Sequence, residues 1–188
     1  MKGSCDFGRG GSTPALPTNG ECNMKVLVRK LTDESLMRRA CEMTSKGKTS
    51  KITLAKIYAC EHSPIRSQIF WIEMVDIPSF VSVHFVRHKI GVEHFVESNR
   101  DDRGGEDIVD RNTPVHHGML INAQALINMA RKRLCSKAHV EAVKVMEMIQ
   151  EEVSKVDPDL ANHMVPECVY RGGVCHELKS CGKMAELD

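Results

Sequence analysis

Residues 70–103 read FWIEMVDIPSFVSVHFVRHKIGVEHFVESNRDDR, a long apolar stretch that ends in a dense cationic cluster. Any fold must bury the front of this segment while holding Arg87, His88 and Lys89 at its end. Residues 70–77 read as a strand, and Pro78 opens a helix through roughly residue 88, because proline suits a first helical turn. Ser98, Asn99, Arg100 and Arg103 follow closely. Arginine grips phosphate through a planar fork of donors, so the stretch points to a phosphate-bearing ligand. The competing reading is a solvated positive surface.

The whole chain gives that surface little support. Its 188 residues carry 26 basic and 25 acidic side chains, a net charge of +1. Bulk electrostatics therefore draw it to neither nucleic acid nor membrane. No apolar run reaches the length of a membrane span. One Trp and two Tyr provide few platforms for stacking bases. Eight cysteines without the apolar core of a secretory signal point to a reducing, cytoplasmic setting and to thiols or metal ligands rather than disulfides.

Residues 1–22 are rich in Gly, Ser, Thr and Pro without any period and read as a flexible leader. Residues 23–183 read as a single domain whose tail, 165–183, is cysteine-bearing. MKVLVRKL from Met24 alternates like an edge strand, and Thr32-Asp33-Glu34-Ser35 signals a helix start. A second helix is expected over 50–60, a mobile loop over 101–118, and one long helix over 120–156, either continuous or broken once. Leu126, Ala130, Leu134 and Ala138 form its apolar stripe, and Asp157-Pro158 ends it. Strands and helices in this order indicate an α+β domain.

Cys168, Cys175 and Cys181 lie close together in the tail, and Cys135 sits on the helix that the tail can cover. Four thiolates of this kind make a candidate structural zinc site; the alternative is buried thiols acting as small apolar residues. Cys41 and Cys60 read as core. His94, His116, His117 and His163 have no spacing that defines a catalytic metal site and read as surface or core residues.

Three ordered segments carry a resemblance to a known family. Arg87-His88-Lys89 with Ser98-Asn99-Arg100 resembles the Arg-His-Arg signature of the flavin-dependent thymidylate synthases, the ThyX family. Asn122-Ala123-Gln124-Ala125-Leu126-Ile127-Asn128 and the run from Arg131 to Glu141 resemble its helix segments, and the tail from Pro166 to Lys183 resembles that of longer members. The resemblance implies a ThyX-like sheet packed with long helices, assembled as a homotetramer. It implies methylation of dUMP to dTMP with FAD, methylenetetrahydrofolate and NADPH. It would place Ser63, Arg87, His88, Lys89, Asn122 and Asn128 against FAD. His84, Ser98, Asn99, Arg100 and Arg133 would bind the nucleotide, with Arg133 and Ser98 as catalytic residues.

Some positions depart from the family pattern. Lys89 stands for an arginine, His84 for a nucleotide-contacting glutamine, and Gln124 for an arginine that contacts flavin. Another nucleotide-binding arginine has only Arg103 or Arg111 to replace it. These changes leave open a variant pyrimidine transfer, such as hydroxymethylation of dUMP, and a nucleotide-binding homologue without turnover.

Overall fold

The computed structural model describes residues 24–46, 52–98, 102 and 110–186. The expected leader, Asn99, Arg100 and Arg103 lie outside the described residues. Four antiparallel strands form one sheet in the order β1-β2-β4-β3 (β1 Lys25–Lys30, β2 Ile69–Pro78, β3 Val92–Val96, β4 Pro114–Asn122). The expected edge strand and the strand after Phe70 are both present, and β2 lies in the interior of the sheet. A register shift between Met74 and Ile77 is accommodated at Asp76, whose φ is 56°.

One face of this sheet is covered by helices α4 (Ala123–Arg133) and α5 (Val140–Val156). Phe70, Ile72 and Met74 of β2 and Met119 and Ile121 of β4 point inward, onto Leu126, Ile127 and Met129 of α4. The α5 stripe of Ala142, Val145, Met146, Ile149 and Val153 recurs every three to four residues, as an amphipathic helix requires. Helix α1 (Glu34–Thr44) begins at the expected Asp33, whose carboxylate accepts from the Ser35 and Leu36 amides.

Two expectations fail. The span 101–118 is not wholly loop: its end enters β4. Val115, His117, Met119 and Ile121 face the core and alternate with outward His116, Gly118 and Leu120, so the period is two. The span 120–156 begins as the end of β4 rather than as helix; the helix then takes the broken of its two expected forms, α4 and α5 separated at 134–139. Asn122 leaves the strand with ψ 161° and caps α4, its side chain accepting from the Ala125 amide. Ala138 therefore lies in the break and not on a stripe. The expected helix over 50–60 shortens to α2 (Leu54–Ala59), capped by Thr53, and Cys60 at its end is exposed rather than core.

Asp157 does terminate α5 and caps the short α6 (Pro158–Ala161). It is 3% exposed, accepts from Lys30 Nζ at 2.6 Å and from the Tyr58 hydroxyl at 2.7 Å, and so ties β1 and α2 to this corner. Beyond it, α7 (Glu167–Tyr170) and a two-residue parallel pair, β5 (Val174–Cys175) with β6 (Ala185–Glu186), give the tail its only regular structure among the described residues.

Candidate functional site

Helix α3 (Ser79–Phe85) delivers the cationic cluster. Its first amides are taken up by the segment before β4: Ser79 N donates to Thr113 O at 2.9 Å and Phe80 N to Arg111 O at 3.0 Å. Val81, Ser82 and Phe85 turn inward. The helix closes at Val86, and His88 N donates to Phe85 O at 3.0 Å, so Arg87, His88 and Lys89 sit at its carboxyl end. Gly91 then turns the chain into β3 with φ +77°. A Cβ there would lie 2.4 Å from Asn122 Nδ2, and Asn122 N donates to Gly91 O at 3.0 Å. Glycine is required on both counts. This contact brings the Arg-His-Lys turn against the start of α4.

The far end of α4 returns to the same turn. Arg133 Nε donates to His88 Nε2 at 3.0 Å. A guanidinium only donates, so His88 must be neutral, with its proton on Nδ1. Burial, followed by the charge of Arg133 and then by His94, pushes the His88 imidazole down to about 4. Burial, and then the adjacent charge of Arg87, lowers the acidity range of Arg133 itself. Its terminal nitrogens have no hydrogen-bond partner among the described residues, so a planar pair of donors is left for a ligand.

An aromatic ring stands beside this arginine pair. Phe80 meets His139 edge-on at 4.8 Å and His84 at 6.4 Å, and the Arg111 guanidinium lies 4.5 Å from its centroid. His84 is shifted down by burial first and then by Arg133, His139, Arg87 and Arg111. Every charge acting on it is cationic. Half-buried positive charges that crowd one another are held at a cost unless an anion neutralises them. Of the two arginines proposed to replace a missing one, Arg111 belongs to this cluster. Phe80 and His139 are members to which the motif reading gave no role; the aromatic at position 80 had only a helical period as its signal.

The opposite side of α4 is occupied from within. Glu61, in the left-handed region with φ 46°, accepts from both Gln124 and Arg131. Asn128 Oδ1 accepts from Arg131 Nη1 at 3.1 Å, and the Arg131 guanidinium stacks on Tyr170 of α7 at 3.4 Å. Ser63 opens the 3-10 turn Ser63–Ser67, two residues after Glu61. Helix α4 thus stands between two groups of the expected flavin residues: Arg87, His88, Lys89 and Asn122 on one side, and Ser63 and Asn128 on the other. Ser98 follows β3 and is half-buried.

The four cysteines Cys135, Cys168, Cys175 and Cys181 all line one cavity of about 140 Å³ between α4 and the tail. Among the described residues no group of three or more His, Cys, Asp or Glu converges to hold a metal. The structure therefore brings the thiols together without a formed zinc sphere.

No family model matches the chain. A curated relative, the flavin-dependent thymidylate synthase of Clostridium tetani (strain Massachusetts / E88), is 40% identical over 68 residues, 36% of this chain. The match spans about a quarter (26%) of that relative's length. Among solved structures, ThyX from Helicobacter pylori complexed with FAD and dUMP superposes with a TM-score of 0.63 at 13% identity, over 75% of this chain and 99% of that one. A second H. pylori ThyX structure, also with FAD and dUMP, gives 0.59 at 15% identity over 78% and 99%. The chain has the ThyX fold. The UMP/dUMP methylase PolB of Streptomyces cacaoi, bound with 5-Br dUMP, has the same fold at a TM-score of 0.60 and 13% identity, over 75% of this chain and 94% of that one. At these identities the structural likeness concerns the ThyX fold: an antiparallel sheet with helices on one face.

Proposed function

We propose that this chain is a ThyX-family member that binds dUMP and FAD and transfers a one-carbon unit to the pyrimidine, making dTMP with methylenetetrahydrofolate and NADPH. The observation that carries the reading is Arg133, held by His88 beside Arg87, with its terminal donors free of partners among the described residues. Such a guanidinium stabilises negative charge as it develops on a uracil ring, as an oxyanion hole does. His84 and Phe80 border the same space. Ser98, Asn99 and Arg100 would hold the nucleotide phosphate through hydroxyl, amide and guanidinium. Arg133 and Ser98 are the proposed catalytic residues.

The chain's donors fit the flavin. Arg87 and Lys89 are exposed cations without an ion-pair partner among the described residues, and Gly91 leaves room for the Asn122 side chain to pack beside them. Asn122 and Asn128 spend their amide oxygens on α4 itself, which leaves their NH₂ groups to donate. Ser63 adds a hydroxyl. When bound, flavin supplies the hydride chemistry, and the protein contributes orientation and charge. The relatives' bound FAD and dUMP support this assignment.

The same reading takes 23–183 as one domain and the assembly as a homotetramer in the cytoplasm. No helix among the described residues is long and apolar enough to cross a membrane. It also gives the cysteine-lined cavity a structural role: zinc drawn in by its four thiols would fix the tail. Metal analysis of protein purified without chelator tests this, and much less than one zinc per chain ends it.

The experiment for the main reading is an absorbance spectrum of the full chain with FAD, before and after adding dUMP. Flavin bands that shift with the nucleotide support a shared site; a chain that ignores both ligands refutes it. Arg133→Ala should abolish turnover while flavin stays bound. A second reading, a different pyrimidine acceptor, is favoured by His84 in place of glutamine and by the UMP/dUMP methylase with this fold. Turnover of UMP against dUMP separates the two.

A further inference from the structure

Behind Arg133 runs a line of buried hydrogen bonds that the proposed function does not use. Ser82 Oγ lies 3.0 Å from His117 Nδ1, His117 Nε2 lies 2.9 Å from His94 Nδ1, and His94 Nε2 lies 2.7 Å from the carbonyl oxygen of His88. His117 is 1% exposed and Ser82 4%. The last member fixes the direction of all the others. A carbonyl only accepts, so His94 must carry its proton on Nε2. Its Nδ1 then has only a lone pair, and His117 must donate to it from Nε2. His117 Nδ1 is bare in turn and accepts from the Ser82 hydroxyl. Burial, and then His94, pushes His117 down to about 4, in keeping with a neutral ring.

We propose that Ser82, His117 and His94 form a one-directional chain of positioning residues that fixes Arg133 by way of His88. His88 is held at three atoms: its amide by Phe85 O, its carbonyl by His94, and its Nε2 by Arg133 Nε. With the peptide fixed, the imidazole presents its lone pair to Arg133 at one angle. The guanidinium plane, and hence the aim of its two terminal donors, follows. An amide between two neighbours can replace the middle link, because its NH₂ donates and its oxygen accepts. A hydrocarbon cannot.

The ligand side of this inference rests on the reading above; the chain of hydrogen bonds does not. The test therefore begins with the ligand-free full chain, labelled with ¹⁵N. Long-range ring spectra should show His94 and His117 protonated at Nε2 and His88 at Nδ1. The Arg133 Nε proton should be protected from exchange, lost in His94→Leu and kept in His94→Gln. Affinity for dUMP should fall about tenfold in His94→Leu and recover in His94→Gln, and Arg133→Lys should add little to His94→Leu, because coupled positions are not additive. A merely structural role would give additive losses and no rescue. A His94 protonated at Nδ1, or an Arg133 Nε proton indifferent to a folded His94→Leu, overturns the proposal. If His94→Leu does not fold, Ser82→Ala decides: the His88 carbonyl still fixes both rings, so His94 and His117 should stay protonated at Nε2 while the His117 Nδ1 signal shifts on losing its donor, and an unmoved Nδ1 signal refutes the chain. If the unaltered protein binds no dUMP, the proposed function falls while the tautomer spectra still decide this one.

Discussion

Acidification from pH 7 to pH 5 should strip stability from this fold, with two histidines carrying most of the loss. In the folded chain His117 and His88 are both held down at about 4, chiefly by burial, against an ordinary 6.5. Below pH 6.5 the unfolded chain takes up protons that the folded chain refuses, so stability falls as the pH drops. The loss stops growing near pH 4, where the folded rings protonate as well. Each pH unit well inside this window costs about 1.4 kcal/mol per histidine, so two units that straddle its upper edge remove ~2 kcal/mol each. His88 is only half-buried and solvent screens part of its share, which leaves ~3 kcal/mol for the pair. Urea titrations at pH 7, 6 and 5, followed by the fluorescence of the single tryptophan, Trp71, measure the drop. His117→Gln should remove roughly two thirds of the pH dependence, since the more deeply buried of the two groups is gone. A stability that is flat between pH 7 and 5, or a full slope in His117→Gln, would refute the reasoning.

Three further outcomes follow from the geometry. Gly91→Ala combines a left-handed backbone with a Cβ against Asn122 and should cost about 1–3 kcal/mol in denaturant titrations, with weaker flavin binding. Asp157→Ala leaves Lys30 and the Tyr58 hydroxyl without their acceptor; a loss of about 3–5 kcal/mol is expected in thermal or urea unfolding. Glu61→Gln weakens the hold on Arg131 and should speed hydrogen exchange in α7, because Tyr170 is stacked on that arginine.

Much of the scaffold was legible because single residues announce it. Asp33 caps α1, Pro78 opens α3 and Asp157 stops α5, each by a local mechanism that needs no partner far away. Strand β4 was hidden because its pattern is carried partly by polar residues: an inward His117 and an outward Gly118 obscure the alternation. One break in the long helix was among the expectations, but its place at 134–139 was hidden for the opposite reason, since Cys, Ser, Lys and Ala interrupt a helix only weakly. At the site, the basic residues Arg87, His88 and Arg133 were readable as residue types. The hydrogen bonds that orient them were not. His117 reaches Ser82 across 35 positions and His94 across 23, and no local pattern marks such a pair. Phe80 and Arg111 likewise meet only because β4 draws the segment before it across α3.

Helix α4 has a kinetic consequence. It is bonded to His88 across 45 positions and to Glu61 across 70, so nearly every contact that shapes the cationic cluster closes a long loop of chain. Contacts of that kind form slowly, after the entropy of closure has been met by the rest of the sheet. The ligand-gripping geometry cannot assemble in an isolated fragment or ahead of the core. A refolding experiment that watches the His88 ring should therefore see it ordered in the same phase as β2 and β4, and nucleotide affinity should appear only once that phase is complete.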